Sequence, residues 1–151
     1  MNNYFLISLI NEPGVTIFVL CLYLVQVQIS ADSVWEAVLA DWAKIKDAKM
    51  DVFLYTVDAP FSSHCSIPVR RCFFDEMQVI MYESQFGNNS TLYNTVNNII
   101  RLINYTLKGT QNIETSQCQK CETFQEKEYK EFMKSFGKNV IRWNRESTRD
   151  F

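Results

Sequence analysis

The sequence predicts an all-α domain built as a four-helix bundle. Three observations carry that reading: four stretches repeat apolar residues at three- and four-residue steps, only four glycines and three prolines punctuate 151 residues, and no strand–helix alternation or glycine-rich phosphate loop is present.

The first helix follows Asp32 and Ser33, either of which can cap it, and carries Val34, Val38, Trp42 and Ile45, flanked by Trp35 and Leu39. Its pattern fades near Met50. Residues 51–57, DVFLYTV, are β-branched and aromatic without helical spacing and read as extended chain. Pro60 and Pro68 bracket a loop with His64 and Cys65. A second helix runs from Pro68 to about Gln85, with Cys72, Phe73, Met77, Ile80 and Met81 in line, until FGNNS breaks it. The third starts at Ser90 or Thr91 and aligns Leu92, Val96, Ile99, Ile103 and Leu107 up to Gly109. Thr115 and Ser116 are placed to cap the fourth, in which Tyr129, Phe132, Phe136, Val140 and Trp143 repeat most clearly. The link between the first two helices is long enough to run back along the bundle and the next is short, which favours a parallel first pair and an antiparallel third helix. The last link leaves the final crossover open.

Residues 15–29, VTIFVLCLYLVQVQI, are an uncharged apolar run ending at Ser30 and Ala31, the pattern of a cleaved secretory signal over residues 1–31 ahead of one domain, 32–151. Fifteen residues fall short of the roughly 20 that span a bilayer. With Glu12 gone, 16 acids face 15 Lys and Arg, a balance that points to no polyanion and no nucleic acid as partner.

Secretion oxidises thiols. Cys21 leaves with the signal, and Cys65, Cys72, Cys118 and Cys121 remain, an even number with three possible pairings. Cys118 and Cys121 read as one turn apart at the start of the fourth helix. A distant bridge such as Cys72 to Cys121 closes a loop of about 50 residues and stabilises by roughly 4 kcal/mol, against about 2 for the local closure, so distant pairings are favoured. The CxxC offers two other readings, a redox dithiol and a zinc site with His64. The first lacks its usual strand–helix setting, and the second has an unusual spacing in an oxidising compartment. The sequence thus calls for no metal and no cofactor. His64 reads as a solvated loop residue, and one histidine gives a nucleophile little to work with, so catalysis is not expected. The rival readings are a membrane-anchored structural or interaction protein that keeps residues 15–29, and a thiol–disulfide oxidoreductase.

CFFDEMQVIMYES (Cys72 to Ser84), CQKCETFQEKEYKEFMKSF (Cys118 to Phe136) and FLYTV (53–57), in that order and with the same cysteine spacing, resemble the interleukin-15 family. The resemblance spans about residues 34–143, and the interleukin-15-like ligands of non-mammalian and some mammalian vertebrates are equally similar. It implies a short-chain four-helix cytokine bundle, up-up-down-down, with two disulfides, Cys65–Cys118 and Cys72–Cys121. It implies a secreted, monomeric cytokine that assembles interleukin-15 receptor α, interleukin-2 receptor β and the common γ chain, triggering JAK/STAT signalling in lymphocytes. Carried over by position, the α-receptor contacts are Tyr55, Glu76, Glu83 and Glu122. The two glutamates on the second helix lie two turns apart on one face. The β contacts are Asp41, Asn94, Asn97 and Asn98, where amides at Asn94 and Asn97 replace the acids of interleukin-15. For the γ contact, Ile141 stands where the family has glutamine, with Asn139 and Asn144 the nearest amides. These departures lean toward the interleukin-15-like branch and toward greater dependence on the α receptor. Asn88, Asn89 and Asn104 begin N-glycosylation sequons, the first two overlapping between the second and third helices.

Overall fold

The computed structural model describes residues 34–58, 60–110 and 117–148. The expected signal, the caps at Asp32, Ser33, Thr115 and Ser116, and the last three residues lie outside them. In chain order the elements are α1 (residues 34–45), β1 (Phe53–Thr56), α2 (Ser66–Phe86), α3 (Ser90–Leu107), β2 (Gln125–Glu128) and α4 (Tyr129–Ser147). No helix among the described residues is long and apolar enough to cross a membrane.

This is the expected four-helix bundle, with one small ribbon added. α2 and α3 are joined by a tight turn in which Asn88 adopts φ 51°, and they pack side by side. The two other links are long, and each carries one strand of an antiparallel pair with Phe53 opposite Glu128 and Tyr55 opposite Glu126. The ribbon therefore clamps one crossover to the other.

The core is the set of helical stripes turned inward. Phe73, Met77, Ile80, Val96, Ile99, Ile103, Phe132, Phe136 and Trp143 are all fully buried. Phe73 meets Phe132, Phe136 and Trp143 with ring centroids 5.4–5.9 Å apart in tilted or edge contacts, the geometry aromatic pairs prefer. At one end the Arg70 guanidinium lies 5.1 Å from the Trp35 ring and 5.3 Å from Trp143, and burial pulls its pKa down.

α1 is fastened to α4 by two side chains. Trp42 Nε1 donates to the Met133 carbonyl (2.8 Å), and the buried Tyr129 hydroxyl donates to the Ile45 carbonyl (2.7 Å), an acceptor at the end of α1 that it shares with the Ala48 N–H. The Trp42 indole lies against Gly137, where a Cβ would stand 2.5 Å from Cζ2 and 2.6 Å from Cε2. Gly137→Ala must displace the ring. Overpacking costs about 1–3 kcal/mol and the lost hydrogen bond about 1, against a gain of about 1 from helix propensity. A net loss of about 1–3 kcal/mol is expected as a lower urea midpoint, and an unchanged midpoint would show that the indole has room to move.

One expectation is corrected here. The fourth helix begins at Tyr129, with Glu128 at its N-cap position, so Cys118 and Cys121 precede it: Cys121 opens a short 3₁₀ turn, Cys121–Thr123, and β2 intervenes. Gln125–Glu128 has little intrinsic strand preference and is extended because β1 supplies its ladder partner. The third helix starts at Ser90 as expected, and it is capped by Asn89, whose side chain accepts from Leu92 N–H at 3.0 Å.

Candidate functional site

The cysteines pair Cys65–Cys118 and Cys72–Cys121, with Cα separations of 5.6 and 5.2 Å. Both bridges tie the second crossover to the start of α2 or the loop before it. The CxxC cysteines are therefore not bonded to each other. His64 lies beside Cys65 and Cys118, but those sulfurs are committed to a bridge and its Nδ1 is 2.7 Å from Ser62 Oγ, so this is no thiolate metal site.

The ribbon and α2 bring three of the four α-assigned residues together. Glu76 is 8 % exposed, and its Oε2 accepts the Tyr55 backbone N–H at 3.0 Å. That carboxylate caps the outer edge of β1, opposite the edge that β2 occupies. Burial pushes the Glu76 carboxyl up, the Tyr55 N–H opposes the shift, and Asp75 and Glu126 add to it. The Tyr55 phenol is raised chiefly by Glu126, then by burial, with smaller contributions from Glu76 and Glu122. Burial also raises the Asp75 carboxyl, against the pull of Arg71. Glu83 stands apart on the exposed part of α2, so it and Glu76 do not present alike to solvent. The residues that sequence reasoning left out are Asp75 and Glu126. The signal for Glu126 was its register opposite Tyr55, visible only once β2 was recognised.

Asp41 on α1 and Asn98 on α3, 57 positions apart, meet directly: Asn98 Nδ2 donates to Asp41 Oδ2, while Lys44 Nζ donates to Oδ1 at 2.6 Å. Asp41 is only 7 % exposed, so its carboxylate is held in place and reaches the surface at its edge. Asn94 is exposed and Asn97 half-buried on the same helix as Asn98. The i,i+3 partner Lys44 was readable from the sequence and was missed.

The third set is divided. Ile141 is 38 % exposed, at one end of a groove of about 560 Å³ between α1 and α4 that Trp42 and Gly137 also line. Asn144 is half-buried. Asn139 is 2 % exposed and its amide donates to the Ser135 carbonyl at 3.0 Å, so it is an interior residue that offers nothing to the surface. Asn88, Asn89 and Asn104 are exposed, and the cap uses Asn89 through its oxygen, leaving the amide nitrogen free of it.

Long crossovers stapled to neighbouring elements, and surfaces that carry fixed polar contacts, are the marks of a short-chain four-helix cytokine. The Interleukin 15 family model matches residues 16–143. Interleukin-15 of Mus musculus is 34% identical over 140 residues, covering 90% of this chain and 81% of the relative. Interleukin-15 of Homo sapiens, with the same coverage, is 32% identical, and that of Bos taurus is 32% identical over 141 residues. The chain belongs to the interleukin-15 family. It is a cytokine.

Proposed function

We propose that the protein is secreted after loss of residues 1–31, is glycosylated at Asn104 and at Asn88 or Asn89, and acts as a monomer that assembles three receptor chains. An α chain with a sushi-type module takes the Tyr55, Glu76, Glu83 and Glu122 face. A β chain of the interleukin-2 receptor type takes Asp41, Asn94, Asn97 and Asn98. The common γ chain takes Ile141 and Asn144. Bringing the β and γ tails together lets their kinases start JAK/STAT signalling in lymphocytes.

The observation that carries this reading is the convergence at Tyr55. Glu76 and Glu122 come from distant parts of the chain and gather with Glu126 around one phenol, with Asp75 beside Glu76. Such a concentration of acid supports a basic partner surface by charge complementarity.

The α face makes a pH-dependent prediction whose sign is fixed by burial. The folded Glu76 and Asp75 carboxyls sit above their ordinary values. Such acids stabilise the fold below the unfolded pKa and lose that contribution as pH rises through the folded one. Lowering the pH from neutral toward the folded pKa values therefore neutralises Glu76 and Asp75 ahead of ordinary surface acids without costing the fold stability through these groups. Affinity for an immobilised α-receptor sushi module is expected to fall over that range while the circular dichroism stays constant. Glu76→Gln should weaken binding about tenfold, roughly 1.4 kcal/mol, and flatten the pH response. Undiminished binding by Glu76→Gln would remove Glu76 from the interface.

A further inference from the structure

The nearly neutral total charge conceals a segregation. Acids gather at the ribbon and the middle of α2, whereas α4 carries Lys130, Lys134, Lys138, Arg142 and Arg145 against Glu131 and Glu146, a local charge of +3. At about 100° per residue, Lys130, Lys134, Lys138 and Arg145 fall within an arc of about 80°, and at 1.5 Å per residue they run about 22 Å. All four are exposed, and among the described residues none of the four is in an ion pair. Lys46, just past the end of α1, lines the same groove as Lys130, Lys134 and Lys138. Of the neighbouring acids, Glu146 is engaged by Arg142 at 2.7 Å, Asp58 by Lys127 at 2.6 Å, and Asp47 lies 3.8 Å from Lys46. Glu131 lies along the row without an ion pair, and at the Lys130 end Asp51 and Glu128 share a hollow with that lysine.

We infer that this exposed row along α4 is a docking track for a linear sulfated polysaccharide of the heparan sulfate class. A narrow row of lysines one turn apart matches a thread of anions laid along a helix. A membrane plane of anionic lipid would also meet Asp47, Glu131 and the net negative remainder of the molecule. A protein partner would bring apolar anchors to its centre, and the row offers Ile141 as its one large exposed apolar side chain. The track stands apart from receptor assembly except at Ile141, where a bound chain would cover the γ contact proposed above.

The test uses the full secreted protein on immobilised heparan sulfate at physiological salt. Binding is expected, with an affinity that falls steeply as salt rises, because each neutralised anion releases counterions. The triple variant Lys130→Gln, Lys134→Gln, Lys138→Gln should lose on the order of tenfold or more. The variant Arg101→Gln, Lys108→Gln, Lys120→Gln removes the same charge from exposed sites elsewhere and should stay within about twofold of wild type, with circular dichroism verifying the fold of both. Four results would overturn the inference. These are no retention of wild type, equal loss in the two triples, equal binding to a single-stranded oligonucleotide or phosphatidylserine vesicles, or an α4 triple that keeps heparan sulfate but loses a soluble γ-chain ectodomain. The last would assign the row to the receptor and leave the receptor reading intact.

Discussion

Replacing Cys72 and Cys121 together by alanine is expected to lower the free energy of unfolding by about 4 kcal/mol. The bridge joins residues 49 apart and restrains the unfolded chain accordingly. Alanine is the informative choice because Cys72 is 2 % exposed, and serine would add the separate cost of a buried hydroxyl. The Cys65–Cys118 bridge spans 53 positions, so its entropic contribution is of similar size. A domain of this length has a total stability of about 5–15 kcal/mol, so removing both bridges takes away a large share of it. The effect is read from guanidinium unfolding of the variant against wild type under non-reducing conditions. A loss below about 1 kcal/mol would mean that the hydrophobic core, and not the staples, sets the stability.

Asp41→Ala should produce the largest loss of function. The carboxylate is held from two sides, by Asn98 across the bundle and by Lys44 one turn along α1, which leaves it a single orientation. Pre-organisation of this kind lowers the entropy lost on binding. Truncating one partner of a buried, hydrogen-bonded charge typically costs about 2–5 kcal/mol. Affinity for a soluble β-chain ectodomain is therefore expected to fall by roughly 30-fold or more. Asn98→Ala leaves the charge but loosens its orientation and should cost about 1 kcal/mol. Surface plasmon resonance on the β ectodomain separates the two, and equal binding by wild type and Asp41→Ala would show that this clasp only holds α1 to α3.

What could be read from the sequence follows the strength of the local signal. The stripes of the third and fourth helices are strictly periodic, and every residue named in them is buried. The extended segment before the second helix is β-branched and aromatic, and it contains β1. β2 was illegible because Gln125–Glu128 is polar throughout and becomes a strand only through its partner. Missing it moved the start of the fourth helix and placed the CxxC on that helix. Among candidate contacts, sequence position alone could not show that Glu76 turns toward the Tyr55 N–H or that Asn139 turns inward to Ser135. Both lie next to core residues, Met77 and Val140, at the boundary where a small rotation of the helix decides between interior and surface. The contact of Trp42 with Gly137 was invisible for another reason: it joins residues 95 positions apart and depends on the absence of a side chain.

The central claim is that one small bundle holds three receptor chains at separate faces. Mixing the purified protein with soluble α, β and γ ectodomains and measuring the mass by light scattering after size exclusion tests it most directly. The account predicts a single species with one copy of each of the four chains, which loses β and γ but keeps α when Asp41→Ala is used. A wild-type protein that elutes alone beside the free ectodomains would contradict it.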